Sequence, residues 1–171
     1  EILEIRGSGA AYLADSRLIR PAEAVSAEKE RYTFPELPEA VAGRAAGCRI
    51  YKNKKYYRFD QELTWSQADA FCKAAGGTLA MPKTEAENSA VYDLIDHGNS
   101  SYYWLGGSKS GNNWLWNDGE TITDGYWGSS QPDNYEENEN LLCMYSYDDS
   151  WTDISDQNLG FVLELTAAEA V

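Results

Sequence analysis

The sequence predicts an α+β domain, because helical patterns come early in the chain and strand patterns come late. Two segments between residues 64 and 98 carry apolar residues at helical spacing. After residue 98, short runs rich in Tyr, Trp and Leu alternate with stretches rich in Gly, Ser, Asn and Asp, a pattern typical of strands and loops. We therefore expect two helices packed on antiparallel sheets. Residues 118–139 show little periodicity, and so long an irregular loop indicates a functional region.

The composition is strongly acidic, with 28 Asp and Glu against 14 Lys and Arg and a net charge of -14. Nucleic acids and anionic membrane surfaces are bound through clustered Lys and Arg, so we expect neither as a partner. No apolar run approaches the length of a membrane span, so membrane insertion is not expected either. Carboxylates suit hard cations such as calcium, although an acidic surface more often serves solubility.

The chain changes character near residue 47. Residues 1–47 are rich in Ala, Glu and Arg and lack Trp, and we interpret them as a linker or as the edge of a larger parent protein. Residues 48–165 contain all six tryptophans, and we predict that they form the folded domain. Residues 166–171 are then a C-terminal tail. Because position 1 is Glu and not Met, we expect the chain to be a processed form or a fragment.

Both predicted helices begin with a capping signal. Thr64 and Gln67 have the spacing of a capping box, and Thr84 and Glu87 repeat it before the second helix. The Gly pair at residues 76–77 is expected to end the first helix, because glycine adopts the left-handed conformation of a helix C-terminus.

An ordered set of motifs in residues 48–165 resembles the C-type lectin-like domain family. The strand W-I-G-L of that family appears at residues 104–107, and its turn W-x-D-G at residues 116–119. QPD, a downstream Glu and a Trp-x-Asp follow in the family's order. Its W-x-x-A, Cys and Gly-Gly-x-Leu pattern is present as Trp65, Ala68, Cys72, Gly76, Gly77 and Leu79. The resemblance implies the C-type lectin-like fold, and three tryptophans are expected in its core: Trp65, Trp104 and Trp116.

The cysteines depart from the family, which usually has two disulfides. By position, the partner of Cys72 would fall near Leu163, and another cysteine near Leu141. Both positions are apolar, so we expect packing in place of the bridges and three free thiols. The missing bridges favour a bacterial surface or secreted protein, and the family favours an extracellular location.

The resemblance implies a calcium site in the late loop region. Calcium takes six to eight oxygen ligands, and an affinity of about 10⁻⁴–10⁻³ M is expected of extracellular modules. Pro132 is implied to follow a cis peptide bond. Where the family has an Asn-Asp pair after Trp, this chain has a Thr, which is a shorter and poorer ligand. The predicted calcium ligands are Gln131, Asp133, Glu139, Thr152 and Asp153.

In this family a sugar completes the calcium shell through two neighbouring hydroxyls. Members with QPD are similar in favouring galactose-type sugars, so the resemblance implies a galactose-bearing glycan or glycoprotein as the partner. Tyr135 is placed to lay its ring on the apolar face of a galactose, and Trp127 is a second candidate. The predicted sugar-binding residues are Gln131, Asp133, Tyr135, Glu139 and Trp127.

Two other functions compete with this interpretation. An enzyme is not expected, because His97 is the only histidine and the adjacent acids Asp148 and Asp149 do not by themselves make an acid and a nucleophile at a defined separation. A calcium-independent protein-interaction module on the same fold is the main alternative. Thr152 and the missing cysteines favour it, and the response to a chelator separates the two.

Overall fold

The computed structural model describes residues 32–123 and 125–169. Residues 34–167 form one compact unit. Strand β1 (Tyr32–Thr33) pairs antiparallel with strand β10 (Ala168–Glu169) in a separate small unit. The linker or edge role expected of residues 1–47 stays a prediction: residues 1–31 fall outside the described residues, and residues 32–47 include β1 and a short helix, Glu39–Ala42.

The two predicted helices are present, as α2 (Trp65–Ala74) and α3 (Glu85–Ile95). A short helix that the sequence did not predict, α1 (Glu39–Ala42), begins directly after Pro38. A 3₁₀ turn covers Tyr135–Glu137. The remaining strands are β2 (Gly47–Tyr51), β3 (Lys54–Leu63), β4 (Thr78–Leu79), β5 (Tyr102–Ser110), β6 (Asn113–Trp116), β7 (Leu141–Tyr145), β8 (Trp151–Ile154) and β9 (Leu159–Thr166).

Helix α2 has the predicted start and end. The Thr64 hydroxyl accepts the Gln67 N–H at 3.2 Å, and the Gln67 side-chain oxygen accepts the Thr64 N–H at 3.1 Å, which completes the capping box. At the other end Gly76 takes a φ of +94°, and the Gly77 N–H donates to the Cys72 carbonyl at 2.9 Å. This is a Schellman ending, in which the two glycines satisfy carbonyls of the last turn.

Only half of the second predicted capping box forms. The Thr84 hydroxyl accepts the Glu87 N–H at 3.1 Å, but the Glu87 carboxylate accepts the N–H of Lys83 at 2.9 Å, one residue before the cap. The Lys83 ammonium forms ion pairs with Asp118 and Glu120. The start of α3 is thereby joined to the turn after β6.

The main sheet has eight strands, and its longest path runs β2-β3-β9-β5-β7-β8. Strand β4 also pairs with β9, and β6 with β5. The expectation of purely antiparallel sheets is wrong for one pair, because β5 and β9 run parallel. Strand β9 lies between β3 and β5, antiparallel to β3 and parallel to β5. The α+β class is confirmed.

The core consists of two apolar clusters on this sheet. Trp104 is fully buried in one of them and Trp116 is 5% exposed in the other. Trp65 is only half-buried, with its ring packed against the Trp104 cluster and its indole N–H donating to the Leu105 carbonyl at 3.0 Å. Phe34, Leu37 and Val41, which precede residue 48, also pack against the Trp104 cluster.

All three cysteines are free thiols. Cys72 and Cys143 are buried in the Trp104 cluster, and Leu163 is fully buried in the same cluster. Leu141 packs at its edge. Apolar contacts therefore occupy the positions where the family resemblance places bridges. Burial raises the pKa of both buried thiols above the ordinary range, whereas Cys48 is exposed.

Every helix in the described part of the chain is too short or too polar to span a lipid bilayer.

Candidate functional site

Three predicted ligands meet where the loop between β6 and β7 reaches strand β8. Asp153 lies on β8 and is 2% exposed, whereas Asp133 and Glu139 come from the loop. One carboxylate oxygen from each lies within 4.8 Å of the other two. No other cluster of His, Cys, Asp or Glu side chains with metal-ligand spacing occurs among residues 32–123 and 125–169.

Asp153 anchors the loop. Strand pairing places it opposite Leu142 of β7, so its position is set by the sheet. Its Oδ1 accepts the Asp133 N–H at 3.1 Å and its Oδ2 accepts the Asn134 N–H at 2.7 Å. Hydrogen bonds to an ionised acceptor are stronger than those between neutral groups. The Asp153 carboxylate therefore holds residues 133 and 134 of the loop against the sheet.

The loop also binds its own backbone. The Tyr135 N–H donates to both Asp133 Oδ1, at 3.2 Å, and Glu139 Oε1, at 3.0 Å. Asn134 takes a φ of +48°, and its side-chain oxygen accepts the Glu139 N–H at 3.3 Å. Sequence reasoning missed this positioning role of Asn134; the signal was present, since Asn favours such local bonds and tolerates the left-handed conformation.

The carboxylates perturb one another. The pKa of Glu139 is raised to about 7, chiefly by burial and then by its hydrogen bond with Asp133 and the charges of Asp153 and Asp133. The same hydrogen bond lowers the pKa of Asp133. Below about pH 7 the pair therefore holds a proton on the Glu139 side. A cation at this place would displace that proton and remove the repulsion.

Gln131 adds an unsatisfied acceptor at the start of the loop. Its N–H donates to the Gly128 carbonyl at 3.0 Å, and the bond to Pro132 is cis. The side-chain oxygen Oε1 is buried and accepts no hydrogen bond from the described residues. A buried acceptor without a partner costs about 1–3 kcal/mol. This amide oxygen and the three carboxylates fit the oxygen donor set of a calcium ion.

The hydroxyl of Thr152, the fifth predicted ligand, forms a local hydrogen bond within strand β8. Thr152 Oγ1 donates to the carbonyl of Asp153 at 3.3 Å. Its own carbonyl lies 3.6 Å from the Cys143 thiol, within hydrogen-bonding distance for sulfur. The Thr152 side chain is therefore hydrogen-bonded to the backbone of β8.

The two predicted aromatic contacts differ in how much ring surface is free. Tyr135 is 64% exposed, the highest value among the large hydrophobic side chains of the described residues. Trp127 is half-buried and packs edge-to-face against Trp114 and Trp151, with ring centroids 5.1 and 5.8 Å away. Tyr135 thus offers a free ring face, whereas Trp127 is held by the core.

The single histidine takes no part in this cluster. His97 Nδ1 is bonded to Asp96, and its ring meets that of Tyr147 edge-on at 4.8 Å. Neither contact pairs a nucleophile with a base.

The sheet, the helices and the loop define an α+β binding domain with a candidate cation site. The protein-family model described as "Lectin C-type domain" matches residues 61–162. The chain therefore belongs to the C-type lectin domain family, which is a family of binding domains and not of enzymes.

Named relatives agree with this assignment. C-type lectin domain family 4 member F of mouse is 28% identical over 120 residues, which are 66% of this chain and 21% of the relative. The chicken mannose-binding protein is 29% identical over 99 residues, which are 56% of this chain and 38% of the relative. The chain thus spans well under two thirds of the length of these relatives.

Solved structures show the same fold. The mouse scavenger receptor C-type lectin carbohydrate-recognition domain superposes with a TM-score of 0.65 at 22% identity. The match covers 74% of this chain and 98% of that structure. At this identity the likeness establishes the C-type lectin fold alone.

Proposed function

We propose that this domain binds glycans through a calcium ion held by Gln131, Asp133, Glu139 and Asp153. The observation that carries the proposal is the convergence of three carboxylates, supported by the buried, unpaired oxygen of Gln131, two residues before Asp133 in the chain. Without a cation, that arrangement costs repulsion and an unsatisfied acceptor, and a calcium ion removes both costs.

The side chains have separate tasks in this proposal. Asp153 fixes the loop from the sheet, and Asp133 and Glu139 supply exposed and half-buried acceptors. When bound, calcium supplies coordination for two neighbouring sugar hydroxyls. The amide of Gln131 is able to donate a hydrogen bond, whereas Asp133 only accepts. A donor at Gln131 followed by an acceptor at Asp133 supports the hydroxyl geometry of galactose-type sugars. The free ring of Tyr135 supports stacking on the apolar sugar face.

Calcium is expected to raise the unfolding temperature, and galactose is expected to raise it further. Ligands that bind only the folded state stabilise it by mass action, about 2.7 kcal/mol at one hundred times Kd. The measurement is thermal unfolding in excess EDTA, in calcium, and in calcium with methyl galactoside or methyl mannoside. Mannose is the comparison sugar because a relative is named a mannose-binding protein.

A matched control separates the site from general charge effects. Glu137 is exposed and lies in the same loop, outside the three-carboxylate cluster. Glu137→Gln is expected to keep the full calcium response. Identical melting curves of the unmodified protein in EDTA and calcium would contradict the calcium site, and an equal shift with both sugars would contradict the galactose preference.

Glu139→Gln is expected to reverse its effect on stability between EDTA and calcium. The folded pKa of Glu139, about 7, lies above the ordinary 4.5, so this group stabilises the fold when protonated and loses that contribution as pH rises through 7. In EDTA at pH 8 the variant is therefore expected to be more stable by about 1 kcal/mol, since the half-exposed group is partly screened. In calcium at pH 8 the unmodified protein is expected to be the more stable.

The check is the unfolding free energy of both proteins at pH 5 and pH 8, each with EDTA and with calcium. At pH 5 in EDTA, where Glu139 is protonated, the two proteins are expected to differ little. A variant that is less stable in EDTA at both pH values would show that the Glu139 charge does not destabilise the metal-free fold.

A calcium-independent protein-interaction module is the second candidate. The observation that favours it is the Thr152 hydroxyl, which donates to the backbone carbonyl of Asp153. Tyr135 and Tyr147 are both exposed, and tyrosine gives large contact area at low entropic cost. Binding of a protein partner that persists in EDTA would favour this function.

We place the domain at a cell surface or in a secreted protein, with a glycoprotein as its natural partner. The relatives named above come from animals, and the bacterial source expected from the missing disulfides stays a prediction. Residues 48–165 remain the proposed lectin domain, next to a compact unit of residues 34–167 and a family match of residues 61–162.

A further inference from the structure

Charge is distributed one-sidedly around the candidate site. Lys109 is the last basic residue of the chain, and residues 110–171 contain acidic side chains but no Lys, Arg or His. All the proposed ligands and both aromatic candidates lie in this part of the sequence: Gln131, Asp133, Glu139, Asp153, Tyr135 and Trp127. A sugar at this site therefore meets a loop that contains no positively charged side chain.

Two further carboxylates lie within the loop itself. Glu136 and Glu137 follow the exposed Tyr135 in the 3₁₀ turn, and both are exposed. They have positive φ values of 56° and 58°, and neither belongs to the cluster that converges with Asp153. A sugar stacked on Tyr135 would lie beside these charges, because they are the next residues of the same turn.

The bound cation does not balance this charge. The two positive charges of calcium are fewer than the three negative charges of the clustered carboxylates, and Glu136 and Glu137 add two more. Basic residues contact the loop between β6 and β7 only near its ends in the described part of the chain: the Lys109 backbone N–H donates to the Asn140 carbonyl at 2.8 Å, and the Lys83 ammonium forms ion pairs with Asp118 and Glu120. The Lys83 charge is shared by two carboxylates, Asp118 and Glu120, so it does not offset the charges of Glu136 and Glu137 and the surroundings of the site stay negative.

We propose that this charge pattern makes the site select against anionic glycans, so that it takes neutral galactose-type sugars and rejects those carrying sulfate or carboxylate groups. This inference rests on the proposed function. Sulfate and carboxylate groups are recognised by Arg and Lys donors, whereas carboxylates only accept hydrogen bonds and repel a second anion. Glu136 and Glu137 are the specificity-determining residues.

The test compares two galactosides that carry groups of different charge on carbon 6, which lies outside the ring's neighbouring hydroxyl pair. Calorimetry in about 5 mM calcium gives the affinities of methyl galactoside, its 6-O-methyl ether and its 6-sulfate. At low ionic strength the sulfate is expected to bind about threefold to tenfold more weakly than the ether. At about 0.5 M salt, where charges are screened, the difference in affinity between the sulfate and the ether is expected to disappear.

Variants assign the effect to the loop. The double variant Glu136→Gln with Glu137→Gln is expected to raise the affinity for the 6-sulfate toward that for the ether at low ionic strength. Its affinity for the neutral ether is expected to stay unchanged. Glu36→Gln with Glu62→Gln makes the same change in net charge at exposed positions outside the loop, and the difference in affinity is expected to persist. Strand β3, which contains Glu62, is separated from β8 by β9, β5 and β7.

The outcomes distinguish this inference from the proposed function. Equal or tighter binding of the 6-sulfate at low ionic strength, with calcium-dependent binding of methyl galactoside intact, would overturn the inference alone. A difference in affinity that neither salt nor the loop variant changes would show steric exclusion and would also overturn it. Failure of every galactoside to bind would overturn the proposed function, and the inference with it.

Discussion

Asp153→Asn is expected to abolish the calcium-dependent rise in unfolding temperature and to lower the free energy of unfolding by about 2–4 kcal/mol. The buried carboxylate accepts the N–H groups of Asp133 and Asn134, one on each oxygen. The amide of Asn keeps one acceptor and directs an NH₂ group at the other N–H. The stability loss is therefore expected in EDTA as well, because these hydrogen bonds do not involve the cation. Denaturant unfolding with EDTA and with calcium measures both effects.

Asp156→Asn is the matched control for this substitution. Asp156 is exposed, and its Oδ1 accepts the Trp65 N–H at 2.9 Å at the start of α2. It makes the same type of bond as Asp153, but it lies outside the acidic cluster. The control is expected to cost about 1 kcal/mol and to keep the calcium response. A calcium response retained by Asp153→Asn, or lost in both variants, would contradict the assignment of Asp153 as the anchoring ligand.

Trp104→Ala is expected to cost about 3–5 kcal/mol of unfolding free energy, which is a large fraction of the stability of an ordinary domain. Trp104 is fully buried between strands, and its indole N–H donates to the Leu63 carbonyl at 2.9 Å. The substitution leaves a cavity in the cluster that contains Cys72 and Leu163. Since no disulfide joins the two sides of this cluster, packing and hydrogen bonds must hold them.

Trp104→Phe divides that effect into two parts. Phe keeps an aromatic ring but removes the donor to Leu63, so it is expected to cost about 1–2 kcal/mol. Urea unfolding at constant calcium gives both values, and the m-value reports whether the folded state stays compact. An Ala variant as stable as the Phe variant would show that the Trp104 cluster does not carry the stability assigned to it.

Local signals in the sequence predicted the helices well, because their causes are local. Thr64, Gln67, Gly76 and Gly77 fix the ends of α2 through bonds that span a few residues. The failures involve distant or competing partners. Glu87 binds Lys83 and not the cap residue, and the parallel pairing of β5 with β9 depends on where β9 enters the sheet. Neither choice is encoded in a short pattern.

The candidate site was also predicted only in part from the sequence. Motif order drew attention to Asp133, Glu139 and Asp153, and the fold brings these three together. The sequence did not reveal that Asn134 closes the loop, or that the Thr152 hydroxyl bonds the backbone. Both depend on side-chain direction at left-handed or strand positions, which is decided by the backbone around them and not by residue type.

The distribution of thiols has a practical consequence for immobilisation. Cys72 and Cys143 are buried with raised pKa values, so they are protonated and inaccessible to a maleimide at neutral pH, whereas Cys48 is exposed. Cys48 lies on β2 and Asp153 on β8, and these strands form opposite ends of the sheet path. Coupling through Cys48 therefore attaches the domain to a sensor surface at the end of the sheet path opposite to β8, which contains Asp153. One accessible thiol thus allows coupling without an added cysteine.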